Sequence, residues 1–127
     1  MTTPIDLRIS CLPHTWLIDL DGTVLTHNGY LSDNDRLLPG VTEFWQKIPE
    51  CDIIILLSAR EIIYAENTLN LLKKMGLRYD YSIFGLPTGE RILINDRKPS
   101  GLDTAIALNL CRNEGFTRVS PKIDSTL

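Results

Sequence analysis

A chain of 127 residues, 43% apolar and 23% charged, matches one ordinary globular domain in size and composition and is unlike a disordered or fibrous chain. The formal net charge of −3 gives no broad basic surface, which argues against strong nonspecific attachment to nucleic acid while leaving a local basic groove open. Three widely spaced cysteines, Cys11, Cys51 and Cys111, form no CxxC pair, so free thiols, buried or half-buried in a reducing cytosol, are expected rather than disulfides.

The opening MTTPIDLRIS is neither basic nor followed by a long apolar run, so no secretory signal is read there. The first firm element is Thr15 to Leu20, a short apolar run consistent with a buried strand and ended by Asp21-Gly22. Residues 22–38, rich in Gly, Asn, Asp and Thr, read as a loop or flap. Pro39-Gly40 leads into a short amphipathic helix, Val41 to Ile48, closed by Pro49. Asp52 to Leu57 is a second strand, dense in isoleucine. Its apolar stretch Ile53 to Leu57 is the longest in the chain and far too short to span a bilayer, so a soluble, cytoplasmic protein is expected.

A helix follows from about Arg60 to Met75, with Ile62, Ala65, Leu69 and Leu72 at helical spacing and Gly76 placed for a left-handed cap. Tyr81 to Phe84 reads as a third strand and Arg91 to Ile94 as a fourth, delivering Asn95-Asp96 at its end. A last helix is expected from about Ser100 to Arg112, with a short strand past Gly115. Strands alternating with helices imply an α/β fold, a Rossmann-like three-layer sandwich on a parallel sheet, in one domain over 1–127 with its core at about 15–112. In such sheets ligands bind beyond the carboxyl ends of the strands. Asp19 and Asp21, Ser58, and Asp96 would each arrive there from a different strand.

The run Asp19-Leu20-Asp21-Gly22-Thr23-Val24 resembles the first motif of the haloacid dehalogenase superfamily. Leu56-Leu57-Ser58-Ala59-Arg60 looks like the second motif, and Ile92-Leu93-Ile94-Asn95-Asp96 resembles the acidic fourth, in the expected order. The resemblance implies a Mg²⁺-dependent phosphomonoesterase. Asp19 would attack phosphorus, forming an aspartyl-phosphate, and Asp21 would carry the proton. Asp19, Asp21 (through its carbonyl) and Asp96 would hold the metal. Gly22 and Thr23 at the strand exit, and Ser58 and Ala59 at the second tip, would bind the substrate phosphoryl group, and Arg60 would either contact the leaving group or lie as a surface residue in the first helical turn.

The family also needs a cation to balance the phosphoryl charge, often from a Gly-Lys-Pro turn that here reads Gly85-Leu86-Pro87. Lys98 is the preferred substitute, ahead of Arg91, Lys73 and Lys74. Neither the 36 residues between Asp21 and Ser58 nor the 37 between Ser58 and Asp96 leave room for a cap domain. The site is therefore expected to be open, or covered by the flap or by a second copy in a homo-oligomer. His27 and Tyr30 in the flap are candidate gates. Within the superfamily the chain looks most like small phosphatases of sugar and capsule synthesis, and also like polynucleotide 3′-phosphatase domains. The acidic balance favours a small phosphorylated substrate such as a sugar phosphate. Two alternatives stand beside it: a catalytically silent binding module or regulator of the same fold, and a nucleic-acid 3′-end phosphatase.

Overall fold

The computed structural model describes residues 3–127. It is an α/β structure with parallel strands, compatible with a Rossmann-like fold. A three-stranded sheet has the order β2 (Thr15–Asp19), β3 (Ile53–Leu57), β4 (Tyr81–Ile83), every pair parallel. The connections carry α1 (Val41–Gln46) between β2 and β3, and α2 (Ala65–Lys74), entered through a 3₁₀ turn at Ile62–Tyr64, between β3 and β4. Parallel neighbours need such crossovers, because a tight turn can join only antiparallel strands. Gly76 ends α2 with φ +77°, its amide donating to the Lys73 carbonyl while Leu77 N–H reaches back to Leu72. That is the cap expected from the sequence.

Burial follows the pleat. Ile18 and Leu20 in and after β2, and Ile54 and Leu56 of β3, point into a core shared with Val41, Phe44 and Trp45 of α1 and with Leu72 of α2. Phe44 meets the Trp16 ring edge-on at 5.7 Å, and the Trp45 indole N–H donates to the Arg78 carbonyl at 2.9 Å. The alternate residues Leu17, Ile53 and Ile83 remain exposed, so helices cover one face of the sheet among the described residues. An all-apolar strand such as Ile53–Leu57 predicts burial on both faces, and here only alternate residues receive it.

Three expectations are corrected. Residues 91–94 form no strand, and Ile92 and Ile94 are over 80% exposed. Nor do residues 100–112 form a helix. A short run such as Ile92-Leu93-Ile94 becomes a strand only by hydrogen bonding to a neighbouring edge and burying a face, and this segment does neither. A short helix likewise depends on packing more than on propensity. The three cysteines are free, as expected, but all are exposed rather than buried.

A second parallel pair, β1 (Ile5–Ile9) with β5 (Val119–Ile123), joins the two ends of the chain in register from Ile5↔Val119 to Ile9↔Ile123. At the amino ends of the strands, the fully buried Asp52 side chain accepts from the His14 amide (2.9 Å) and the Trp16 indole (2.9 Å) and faces His14 Nδ1 at 2.8 Å. His14 Nε2 lies 3.0 Å from the Ser10 carbonyl, so this network fastens the β1–β2 connection to the start of β3. Burial raises the Asp52 pKa, but hydrogen bonds from Trp16 and His14 outweigh it and hold the carboxyl below its ordinary value. No helix among the described residues is long and apolar enough to cross a membrane.

Candidate functional site

The carboxyl ends of the three paired strands converge. Beyond β2 the ladder continues for one step, Leu20 N–H donating to the Leu57 carbonyl. The chain then folds sharply, with the amides of Thr23, Val24 and Leu25 all donating to the Leu20 carbonyl. Gly22 makes this turn with φ +82°, in the left-handed region that side chains disfavour, and an added Cβ would lie 3.2 Å from Arg112 Cγ. Beyond β3, the Ser58 amide donates to the Ile83 carbonyl. The Gly85 and Leu86 amides then return to the Arg60 and Ser58 carbonyls, drawing the third tip against the second.

Asp19 is about one-third exposed. Its Oδ2 accepts from the Thr23 hydroxyl at 3.0 Å and its Oδ1 from Arg91 Nη1 at 2.7 Å. Asp21 is gripped by Arg60, which donates through Nε and Nη2 at 3.0–3.2 Å. The Ser58 side chain is buried, and its hydroxyl oxygen accepts from the Arg60 amide at 3.0 Å, as a cap would. Ala59 is exposed beside it.

Arg60 differs most from expectation. It is neither a surface residue nor free to touch a leaving group, because its side chain is fully buried. Besides Asp21 it donates to both oxygens of Asp35 at 2.8 Å and to the Thr68 hydroxyl at 3.0 Å, with the Tyr30 ring 4.2 Å over its guanidinium. Burial acts against its charge, but its hydrogen bonds to Asp35 and Asp21 prevail and raise its pKa. The Tyr30 hydroxyl is raised by burial first and by the Asp21 charge second.

The structure brings Asp19, Asp21, Gly22, Thr23, Ser58 and Arg60 to one end of the sheet. Asp96 and Lys98 belong to a separate exposed loop. The Asp96 carbonyl accepts from the Thr104 hydroxyl, Lys98 N–H donates to the Leu102 carbonyl, and Arg97 pairs with Asp103. The cation that reaches Asp19 is Arg91 rather than Lys98. With 91–94 out of the sheet, the segment after it is not carried to the strand tips.

Magnesium asks for oxygen ligands in near-octahedral array. Both Asp19 oxygens already accept hydrogen bonds, both Asp21 oxygens face Arg60, and Asp96 stands apart. Among the described residues, no group of three or more His, Cys, Asp or Glu is placed to hold a metal ion. Each Asp19 oxygen keeps a second lone pair and the Asp21 ligand would be its carbonyl, so neither Arg91 nor Thr23 need be displaced; as arranged, the set lacks Asp96.

Sequence reasoning missed Asp35 and Thr68, the other partners of Arg60. Asp35 lay unremarked in a polar flap, and only the pairing of a buried arginine singles it out.

No family model and no curated protein matches the chain. Two similar solved chains come from assemblies described as the Pnkp1/Rnl/Hen1 complex and the Pnkp1/Rnl/Hen1 RNA repair complex. The first is 28% identical with a TM-score of 0.50, covering 66% of this chain and 32% of that one. The second is 30% identical with a TM-score of 0.50, covering 71% and 31%. This chain therefore spans about a third of the length of the chains it matches. The likeness lends weak support to a haloacid dehalogenase-like relationship.

Proposed function

We propose that the chain is a phosphomonoesterase of the haloacid dehalogenase type, with Asp19 as nucleophile. The observation that carries this reading is the placement of Asp19, with an arginine on one oxygen and a hydroxyl on the other, at a strand tip beside Asp21 and Ser58. Asp19 attacks phosphorus, the bond to the leaving oxygen breaks, and that oxygen takes a proton from Asp21, which must carry one beside its Arg60 partner for this step. Water then attacks the acyl phosphate and returns a proton to Asp21, releasing inorganic phosphate. A carboxylate and a phosphate dianion repel each other, and Arg91 supplies the nearest compensating charge. A capless three-layer arrangement is part of this reading, in which the face carrying the exposed Leu17, Ile53 and Ile83 would be covered by a further layer.

The substrate phosphate is proposed to sit on a nucleic-acid end. Two of the similar chains belong to assemblies of the same three components, one described as an RNA repair complex, and nothing in the comparisons favours a sugar phosphate. Arg91 on Asp19 and Arg112 beside Gly22 would suit a chain of phosphates running past the site. The test is phosphate release from a 3′-phosphorylated RNA oligonucleotide and from a panel of sugar phosphates, each with magnesium and with EDTA. Release from the oligonucleotide that is lost in Asp19→Asn supports the reading. No release from any substrate, or full activity in Asp19→Asn, overturns it.

A further inference from the structure

A single guanidinium ties the flap to the site. Arg60 precedes α2, and its side chain is enclosed with every N–H-bearing nitrogen in use: Nε toward Asp21, Nη1 toward Asp35 and Thr68, Nη2 toward both carboxylates. Asp35 and Tyr30 lie in the flap, whereas Asp21 is the last residue before it and Thr68 is on α2. The flap base is closed by its own ladder, Thr26 to Arg36 and Leu38 to Val24. Its outer part, residues 29–35, meets the helix side through Asp35 on Arg60 and Tyr30 on Arg60 and Tyr64.

We propose that Asp35 is a positioning residue acting through Arg60. By taking the far edge of the guanidinium it fixes the near edge on Asp21, so docking of the flap and orientation of Asp21 become one event. A planar fork held on two sides cannot rotate without breaking both bidentate contacts. Held on one side only, it can swing about its own axis and take Asp21 with it. The Tyr30 ring stacked over one face restricts that swing while the flap is down and releases it when the flap lifts. The importance of Asp21 rests on the phosphatase reading, whereas flap docking by Asp35 stands without it.

The experiment compares Asp35→Ala, Asp35→Asn and Asp35→Glu with the unaltered chain, by amide hydrogen exchange over residues 26–36 and by steady-state hydrolysis of p-nitrophenyl phosphate. Asp35→Ala is expected to speed exchange there on the order of tenfold to a hundredfold, as breaking a buried ion pair should. It should also lower kcat more than it raises KM, with Asp35→Glu restoring part of both. Should the alanine variant fail to fold, Asp35→Asn, which keeps shape and one acceptor, carries the same expectation at smaller size. Unchanged exchange in both variants overturns the proposal whatever the activity does. Faster exchange with unchanged kcat overturns the link to Asp21. Faster exchange in a protein with no phosphatase activity even when unaltered sinks the phosphatase reading and upholds docking of the flap by Asp35.

Discussion

Replacing Arg60 with alanine removes a fully buried cation from between two carboxylates. Asp21 and Asp35, 15% and 19% exposed, would face each other across the space it leaves. The Thr68 hydroxyl, itself buried, would lose its Arg60 partner as well. Breaking one side of a buried ion pair costs about 3–5 kcal/mol. Because both carboxylates retain some access to water, the lower end applies to the charges, and the stranded hydroxyl adds about 1 kcal/mol. A loss of about 3–4 kcal/mol is therefore expected, lowering Tm by roughly 10 °C for a chain of this length. Urea unfolding of Arg60→Ala, Asp35→Ala and the double variant measures both the loss and the coupling. The coupling should be on the order of 1–3 kcal/mol, since the two groups touch. A stability of Arg60→Ala within about 0.5 kcal/mol of the unaltered chain, or additive single effects, would refute the idea that this guanidinium clamps the flap.

The Asp52 network makes stability depend on pH at the acid end. Its carboxyl is held below the ordinary value, so on acidification the unfolded chain takes up that proton first. Its contribution is complete above about pH 4 and is lost as the pH falls through the lower folded value. Asp52→Asn is accordingly expected to be less stable at pH 7 and to lose less on acidification than the unaltered chain, checked by unfolding at pH 2–7; parallel pH profiles would contradict this. Arg91→Ala separates site from scaffold. The pair with Asp19 is one-third exposed on both sides, so stability should change by no more than about 1 kcal/mol. Phosphate release in that variant should fall on the order of a hundredfold, as when one electrostatic stabiliser is removed. Equal activity of the two proteins would contradict a charge-balancing role for Arg91.

Elements with strong local signals were legible in the sequence. The strands at Thr15–Asp19, Ile53–Leu57 and Tyr81–Ile83 and the helices at Val41–Gln46 and Ala65–Lys74 lie within a few residues of where periodicity and punctuation put them. The Gly76 cap was equally plain, because a left-handed residue after a lysine-rich last turn has few other readings. What depended on distant partners was not. The short strand expected past Gly115 is present as β5, but β1, with its alternating Ile-Asp-Leu-Arg-Ile pattern, pairs with it across more than a hundred residues and was not foreseen. Arg91 to Ile94 has the composition of a strand but pairs with neither open edge of the three-stranded sheet, and composition cannot decide that pairing. At the site, Asp19 and Asp21 could be found because they follow a buried strand. The role of Arg60 could not, since an arginine after Ser-Ala reads as a surface residue until Asp35, Thr68 and Tyr30 are seen around it.

The chemistry assigned to Asp19 leaves a covalent trace. Quenching the protein during turnover of a 3′-phosphorylated oligonucleotide or p-nitrophenyl phosphate, then reducing with borohydride, should convert residue 19 from aspartate to homoserine, located by peptide mass spectrometry. The modification is expected at Asp19, absent without substrate and absent in Asp19→Asn. Turnover with residue 19 unmodified, or with the label at Asp21 instead, would contradict attack by the β2-tip carboxylate.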